Sequence, residues 1–372
     1  MNIHRILAMA RKEALQLRRD TRSLILAFVL PVFMVIFFGY AITWDVTDIH
    51  LGVWDQDGSR DSRELMEVFQ ASGYFSVVDR PGSYGEVEEG LARGRVQAVM
   101  VIPPGYSRDL KSGRKTPVQL LLDGSDANTA TIALNYAEAI ASRHTTRVIL
   151  EGRPMPAVAE AETRIWYNET LESRNMIVPG LVAVVMSIIA AMLTSLTIAR
   201  EWERGTMEQL ASTPVKEVEV VLGKLLPYLA IGFFDVILVV GAGIVFFQVP
   251  FNGNPLLLGI LSVLFLLGAL GVGIFISSVA GSQVFAMQAA LVATYLPAIL
   301  LSGFMYDIAG MPLILQGVTF LVPARYFIVV TRGILLKGVG IGALWPQAVA
   351  MLVFAVVGLA LATRAFKKEI KA

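Results

Sequence analysis

The residues of this chain best suited to do chemistry are charged groups set beside long apolar runs. The densest group is Arg200-Glu201-Trp202-Glu203-Arg204-Gly205-Thr206-Met207-Glu208-Gln209-Leu210-Ala211-Ser212-Thr213-Pro214-Val215. Glu201, Arg204 and Glu208 stand at i, i+3 and i+7, so in one helix they would share a face. Gly205-Thr206 interrupts and re-caps the chain, and Thr213-Pro214 ends the element. A charged elbow tied to two membrane spans can pass a push from a cytoplasmic partner into the bilayer; an ordinary solvated loop is the alternative for the same residues. The second candidate is Asp235, inside the apolar run Gly232-Phe233-Phe234-Asp235-Val236. An ionisable group at membrane depth is costly and by default marks a functional site. It could relay a proton or cation, contact a cationic substrate, or serve as a buried structural acceptor.

Several chemistries are excluded at the outset. The chain has 372 residues, no cysteine and three scattered histidines, His4, His50 and His144. That rules out disulfides, thiolate metal sites and cysteine nucleophiles, and it makes no metal cluster. No nucleophile elbow or catalytic metal spacing is present. There is no G-x-x-x-x-G-K-[ST] loop, so an ATP-driven process would need another polypeptide to bind the nucleotide and its Mg. The net charge of +1 offers no case for nucleic-acid binding. Asp55-Gln56-Asp57-Gly58 resembles the start of a calcium loop but lacks the later acidic positions, and reads as a turn. Asp123-Gly124-Ser125-Asp126 reads the same way.

The elements that must position these groups are mostly membrane spans. With 55% apolar and 16% charged residues, the chain is too apolar for a soluble protein. Residues 1–22 place Ile3, Leu7, Ala10, Ala14 and Leu17 on one stripe, with Arg5, Arg11, Lys12, Arg18, Arg19 and Arg22 over much of the rest. This predicts an amphipathic helix lying in the membrane interface, rather than the basic start of a signal peptide. Residues 23–43 form a first span of about 31 Å, with a kink expected at Pro31. Residues 44–174 change abruptly to a soluble composition. Strands at His50–Trp54, Phe75–Val78, Ala98–Ile102 and Val118–Asp123 alternate with helices at Asp61–Ser72, Ser83–Arg93 and Asn128–Leu150, which predicts a small α/β domain with a mixed sheet. Asp61 with Glu64, and Ser83 with Glu86, have the form of capped helix starts.

Further spans are expected at 175–199, 225–247, 255–279, 284–305 and 343–362, with a cytoplasmic elbow at 200–224. Ala269 and Gly273 have the spacing that lets helices approach closely. Methionines within spans, such as Met186 and Met287, read as filler. Leu313–Val330 tempts a further crossing, but an Arg at mid-bilayer costs at least ~2.5–3.5 kcal/mol. A crossing would also put Lys367, Lys368 and Lys371 outside, against the positive-inside rule. Residues 306–340 therefore read as two short helices that dip in from the outer side and return. The expected fold is an α-helical polytopic membrane protein with six transmembrane helices, an outer re-entrant helical pair and an inserted extracytoplasmic α/β domain. The basic first helix, the elbow and the 363–372 tail are expected in the cytoplasm.

At this point the motifs carry a resemblance. Glu201-x-Glu203-x-Gly205-Thr206-x-Glu208-x-Leu210-x-x-Thr213-Pro214-Val215, followed by Gly223-Lys224, resembles the cytoplasmic signature of ABC type-2 permeases. A second match runs through Leu301-Ser302-Gly303-Phe304, Met311-Pro312, Gln316, Thr319, Pro323-Ala324-Arg325-Tyr326-Phe327 and Arg332-Gly333. Position 307 departs from the pattern, holding Asp where the family often has Pro. The resemblance implies the membrane half of an ATP-driven exporter in a bacterial inner membrane. It makes Glu201, Glu203, Arg204, Gly205, Thr206, Glu208, Thr213 and Pro214 the contact to a separate ATPase subunit that carries ATP and Mg. Phe304, Tyr306, Pro323, Arg325, Tyr326 and Arg332 become residues of an outer gate or re-entrant turn. A second permease copy or paralogue is an implied partner. The large outer domain resembles the drug-export branch, which implies amphipathic or hydrophobic substrates, a periplasmic adaptor and an outer-membrane channel. Two readings of other classes compete: a membrane-anchored receptor working through its outer domain, and a proton-coupled carrier using Asp235.

Overall fold

A computed structural model describes residues 2–42, 48–114, 116–150 and 172–366. The chain divides into two compact units, residues 1–43 with 165–372, and residues 44–164. The tail lysines Lys367, Lys368 and Lys371 lie outside the described residues.

The elements run in this order: α1 (Ile3–Arg19), α2 (Thr21–Ala41), β1 (Ile49–Asp55), α3 (Arg60–Ala71), β2 (Phe75–Asp79), α4 (Tyr84–Ala92), β3 (Ala98–Ile102), α5 (Tyr106–Lys111), β4 (Gln119–Leu122), α6 (Ala127–Leu150), α7 (Ser173–Glu203), α8 (Met207–Ala211), α9 (Glu217–Phe247), α10 (Pro255–Val279), α11 (Gln283–Leu300), α12 (Leu313–Thr319), α13 (Pro323–Leu335) and α14 (Ile341–Ala365).

The α/β unit is built on a mixed sheet in the order β2-β1-β3-β4. β1 runs parallel to β2 and β3, and β4 is antiparallel to β3. Central β3 is buried on both faces, as expected of a strand covered by helices on each side. Ala98, Met100 and Ile102 join one core with Phe69 and Tyr106, while Val99 and Val101 join a second with Val87. Alternate residues thus serve opposite layers. The start of α3 is capped by Ser59, not by Asp61, because the Ser59 hydroxyl accepts the Ser62 amide. Ser83 caps α4 by accepting the Glu86 amide. Asp55 closes a turn by accepting the amides of Asp57 and Gly58, both at 3.0 Å. Among the described residues no group of carboxylates or histidines could hold a metal ion.

The other unit is a helical bundle. Among the described residues five helices are long and apolar enough to cross a membrane: α7, α9, α10, α11 and α14. α2 adds 21 residues, with Pro31 inside it. α12 and α13 form a pair bent by 76°. α7 is the centre, with 89% of its apolar window buried, against 17% for α11 and 22% for α14. Close approach depends on glycine. A Cβ at Gly271 would lie 2.9 Å from the Gly358 carbonyl carbon, so α10 and α14 touch backbone to backbone. Gly273 faces α7 instead, where Thr194 donates to the Leu270 carbonyl at 3.1 Å.

Two spans run further than the apolar pattern suggests. α7 and α9 each have 31 residues. At 1.5 Å per residue that is about 46 Å, well beyond a hydrocarbon core of about 30 Å, so charged turns project from it. α11 is shorter than expected, ending at Leu300, and Gly303 turns the chain at φ +79°.

Candidate functional site

The elbow is built from the projecting ends of α7 and α9 with α8 between them. Gly205 takes φ +67°, a left-handed conformation that suits glycine. Its amide donates to the Trp202 carbonyl at 3.1 Å and the Thr206 amide to the Glu201 carbonyl at 3.1 Å, a Schellman closure of α7. This break corrects one expectation. Glu201 and Glu208 belong to different helices, so Glu201, Arg204 and Glu208 do not form one helical face.

Burial divides the elbow residues into two sets. Glu203, Arg204, Gly205, Glu208 and Pro214 are exposed, with Thr206 and Thr213 half-buried. Glu201 is buried, at 4% exposure. Its carboxylate meets Lys12 Nζ at 2.8 Å and Lys224 Nζ at 3.1 Å, and accepts a hydrogen bond from the Thr206 hydroxyl. Lys224, only 1% exposed, also pairs with Glu13 at 3.0 Å. Glu13 in turn accepts from the Tyr228 hydroxyl at 3.3 Å. Buried Glu13, Glu201 and Lys224, with the half-exposed Lys12 at their edge, thus form a charge-balanced cluster joining α1, α7 and α9. Neutrality and full hydrogen bonding are what make buried charge tolerable.

Further ties radiate from the same region. Arg200 pairs with Asp20 at 3.0 Å and donates to Gln283 at 3.3 Å. Glu203 accepts the Gln283 amide at 2.6 Å, linking the elbow to the turn between α10 and α11. Glu219 accepts the Asn2 amide at 2.6 Å and the Lys216 amide at 3.0 Å, and Arg5 donates to the Pro214 carbonyl. One turn before the elbow, Ser277 of α10 accepts the amides of Ile198 and Ala199 at 2.9 and 3.0 Å.

α1 departs from the expected stripe. Ile6, Met9, Glu13 and Leu17 face the bundle, and Met9 fits where Gly223 of α9 has no side chain. Ile3 and Leu7 are 67% and 55% exposed. Apolar periodicity could not choose between these faces, since both carry apolar residues. The available signal was Glu13, the sole acidic residue of α1. Sequence reasoning passed over it, as it did Asp20 and Glu219, and gave Lys12 only a place on the polar face of the helix.

Asp235 lies on α9 at 1% exposure, and neither carboxylate oxygen has a hydrogen-bond partner among the described residues. The fold keeps it apart from the elbow. At the bend between α12 and α13, Arg325 donates to the Thr319 hydroxyl and lies 4.0 Å over the Phe320 ring, while the Tyr326 hydroxyl donates to the Phe320 carbonyl at 3.0 Å. Pro323 opens α13. Arg332 ties α13 to α7 and to the turn after α11 by donating to the Met176 and Gly303 carbonyls at 3.2 and 3.3 Å. Phe304 is buried where Gly180 of α7 leaves room, and Tyr306 is exposed. Asp307 caps a short 3-10 turn by accepting the Ala309 amide.

Comparison with known proteins adds the following. The profile described as ABC-2 family transporter protein matches residues 21–364. A protein of Escherichia coli (strain K12) named "Probable multidrug ABC transporter permease YbhS" is 34% identical over 336 residues, covering 90% of this chain and 89% of the relative. Its namesake "Probable multidrug ABC transporter permease YbhR" from the same strain is 32% identical over 373 residues, covering 99% of each. "Inner membrane transport permease YhhJ" of that strain is 26% identical over 327 residues, covering 86% of this chain and 85% of the relative.

Proposed function

The chain belongs to the ABC-2 family of transporter permeases, and from that premise we propose that it exports an amphipathic or hydrophobic compound, drug-like or lipid-like, from the cytoplasm or inner leaflet. It is a multi-pass membrane protein without a nucleotide site of its own, and ATP is hydrolysed by a separate ATPase subunit. The observation that carries the proposal is the elbow. Its outer residues Arg204 and Glu208 are exposed and can meet a partner, Glu203 beside them is exposed but held by Gln283, and Glu201 inside is pinned to α1 and α9. A push on that surface is delivered to three helices together, and charge complementarity would set the register of the partner.

In this reading α2, α7, α9, α10, α11 and α14 are six spans, and α12–α13 dips from the outer side. Lys and Arg near the span ends support a cytoplasmic elbow and termini and an extracytoplasmic α/β unit, in a bacterial inner membrane. Two copies, or one with a paralogue, flank the pathway. A periplasmic adaptor and an outer-membrane channel extend it. The relatives named as multidrug permeases support the substrate class.

The test is co-purification with the ATPase, then ATP-dependent dye uptake into inverted vesicles. Arg204→Glu with Glu208→Lys is expected to insert normally, lose the ATPase and cut uptake at least tenfold. Undiminished uptake in vesicles lacking any nucleotide hydrolase would overturn the proposal. Asp235, buried without a hydrogen-bond partner among the described residues, favours a second reading as an ion-coupled carrier. That reading requires Asp235→Asn to abolish the pH dependence of transport, whereas the exporter reading requires ATP dependence to persist.

A further inference from the structure

A cavity of about 220 Å3 lies where α7, α10, α11 and α14 meet the bend between α12 and α13. α7 contributes Ser187, α10 Ala269, α11 Thr294 and Ala298, α14 Phe354, and the bend Val322. Small residues on the long helices leave the space. The bend closes over it because Pro323 restricts Val322 to extended backbone and so breaks the helix there. Arg325 and Tyr326 brace that bend against Phe320, and the Tyr326 ring packs 5.9 Å from the ring of Phe354, itself a wall residue.

The wall chemistry selects the occupant. Among the described residues no charged side chain lines the cavity. The Ser187 and Thr294 hydroxyls already donate to the Ala183 and Ala290 carbonyls at 2.8 and 2.7 Å, so no free donor is offered. A charged group entering would lose its solvation with nothing to replace it. Water is also a poor occupant, since apolar cavities stay dry; one of about 150 Å3 holds benzene. This cavity is larger, with room for a fused aromatic pair or a branched alkyl segment. Leu321 and Val318 at its rim are 72% and 38% exposed, so it opens to the surroundings of the bundle.

We propose that this cavity binds the uncharged hydrocarbon portion of an amphipathic molecule, leaving the polar portion at the rim. The proposal rests on the exporter reading for where that molecule travels, and not for whether it binds.

The experiment uses the full chain with its ATPase in lipid nanodiscs, and N-phenyl-1-naphthylamine fluorescence as the probe. Saturable binding is expected, weakened at least tenfold by Ala298→Phe, which fills the cavity. Phe354→Ala enlarges it and should shift preference toward pyrene, an effect of opposite sign that misfolding would not produce. Native mass spectrometry separates the two sources of hydrocarbon. A phospholipid retained by the parent and released by the probe identifies an acyl chain as resident; probe binding without lipid release identifies a transported compound. Either result supports the site. Absent saturable binding, or equal affinities in all three proteins, overturns it. Were that to coincide with intact ATP-driven export, the exporter reading would survive; binding without ATP-driven export would leave the cavity and remove the exporter.

Discussion

Lys224 is the residue on which the elbow turns. It is 1% exposed and reaches Glu13 at 3.0 Å and Glu201 at 3.1 Å, so its ammonium separates two carboxylates that have no route to water. Lys224→Met should destabilise the bundle by about 3–5 kcal/mol, the usual consequence of leaving buried charge unpaired. Replacing the three buried members, Glu13→Gln with Glu201→Gln and Lys224→Met, should recover much of that loss, because the one charge left, Lys12, is 47% exposed and reaches solvent. Thermal unfolding of the three purified proteins in detergent compares them. A single substitution as stable as the parent would show that the cluster does not bind the helices together. The Gly223-Lys224 pair was visible in the sequence as part of a motif, but its two carboxylate partners lie 211 and 23 positions away, a pairing no local pattern contains.

At the scale of elements, the α/β unit illustrates how loops hold helices. Asp57, in the turn after β1, accepts the amides of Gly105 and Ser107 at the start of α5 at 2.8 and 3.1 Å. Asp61 of α3 receives the Ser107 hydroxyl and pairs with Lys111 at 2.8 Å. The carboxyl of Asp57 is held below its usual range, first by a hydrogen bond from Ser59 and then by these amides. That of Asp61 is held down by Lys111 and then Ser107. Both folded values are depressed, so their stabilisation is fully present above the unfolded carboxylate range and is lost as pH falls through the folded values. Hydrogen-exchange protection factors over residues 49–122 of the full chain, corrected for the intrinsic pH dependence of amide exchange, should therefore be constant between about pH 5 and 8 and fall below about 4. Asp57→Asn with Asp61→Asn should flatten that acid response; an unchanged response would remove these two groups as its source. Short runs rich in Val, Leu and Ile marked these strands in advance, and α5 escaped because six residues are too few to establish a helical period.

For the whole molecule, the proposed sidedness makes a direct forecast. A cysteine placed at exposed Glu208 should react with an impermeant maleimide only from the cytoplasmic side, and one at exposed Tyr84 only from outside. The chain has no native cysteine to interfere. Labelling of both from the same side would invert or dissolve the six-span arrangement. Apolar runs of about 20 residues, their basic flanks and the break to soluble composition near residue 44 were legible from order alone, since a bilayer imposes length and polarity on any segment that crosses it. So was membership of the family, carried by short motifs that keep their spacing. Tertiary packing decided what order could not. It turned Glu201 inward while leaving Glu208 outside, chose the Ile6-Met9-Glu13-Leu17 face of α1, buried Asp235 with no partner among the described residues, and raised a cavity from alanines on separate helices. Each of these depends on which surfaces come within a few ångströms across scores of intervening residues, and a periodic pattern along one element carries no record of its neighbour.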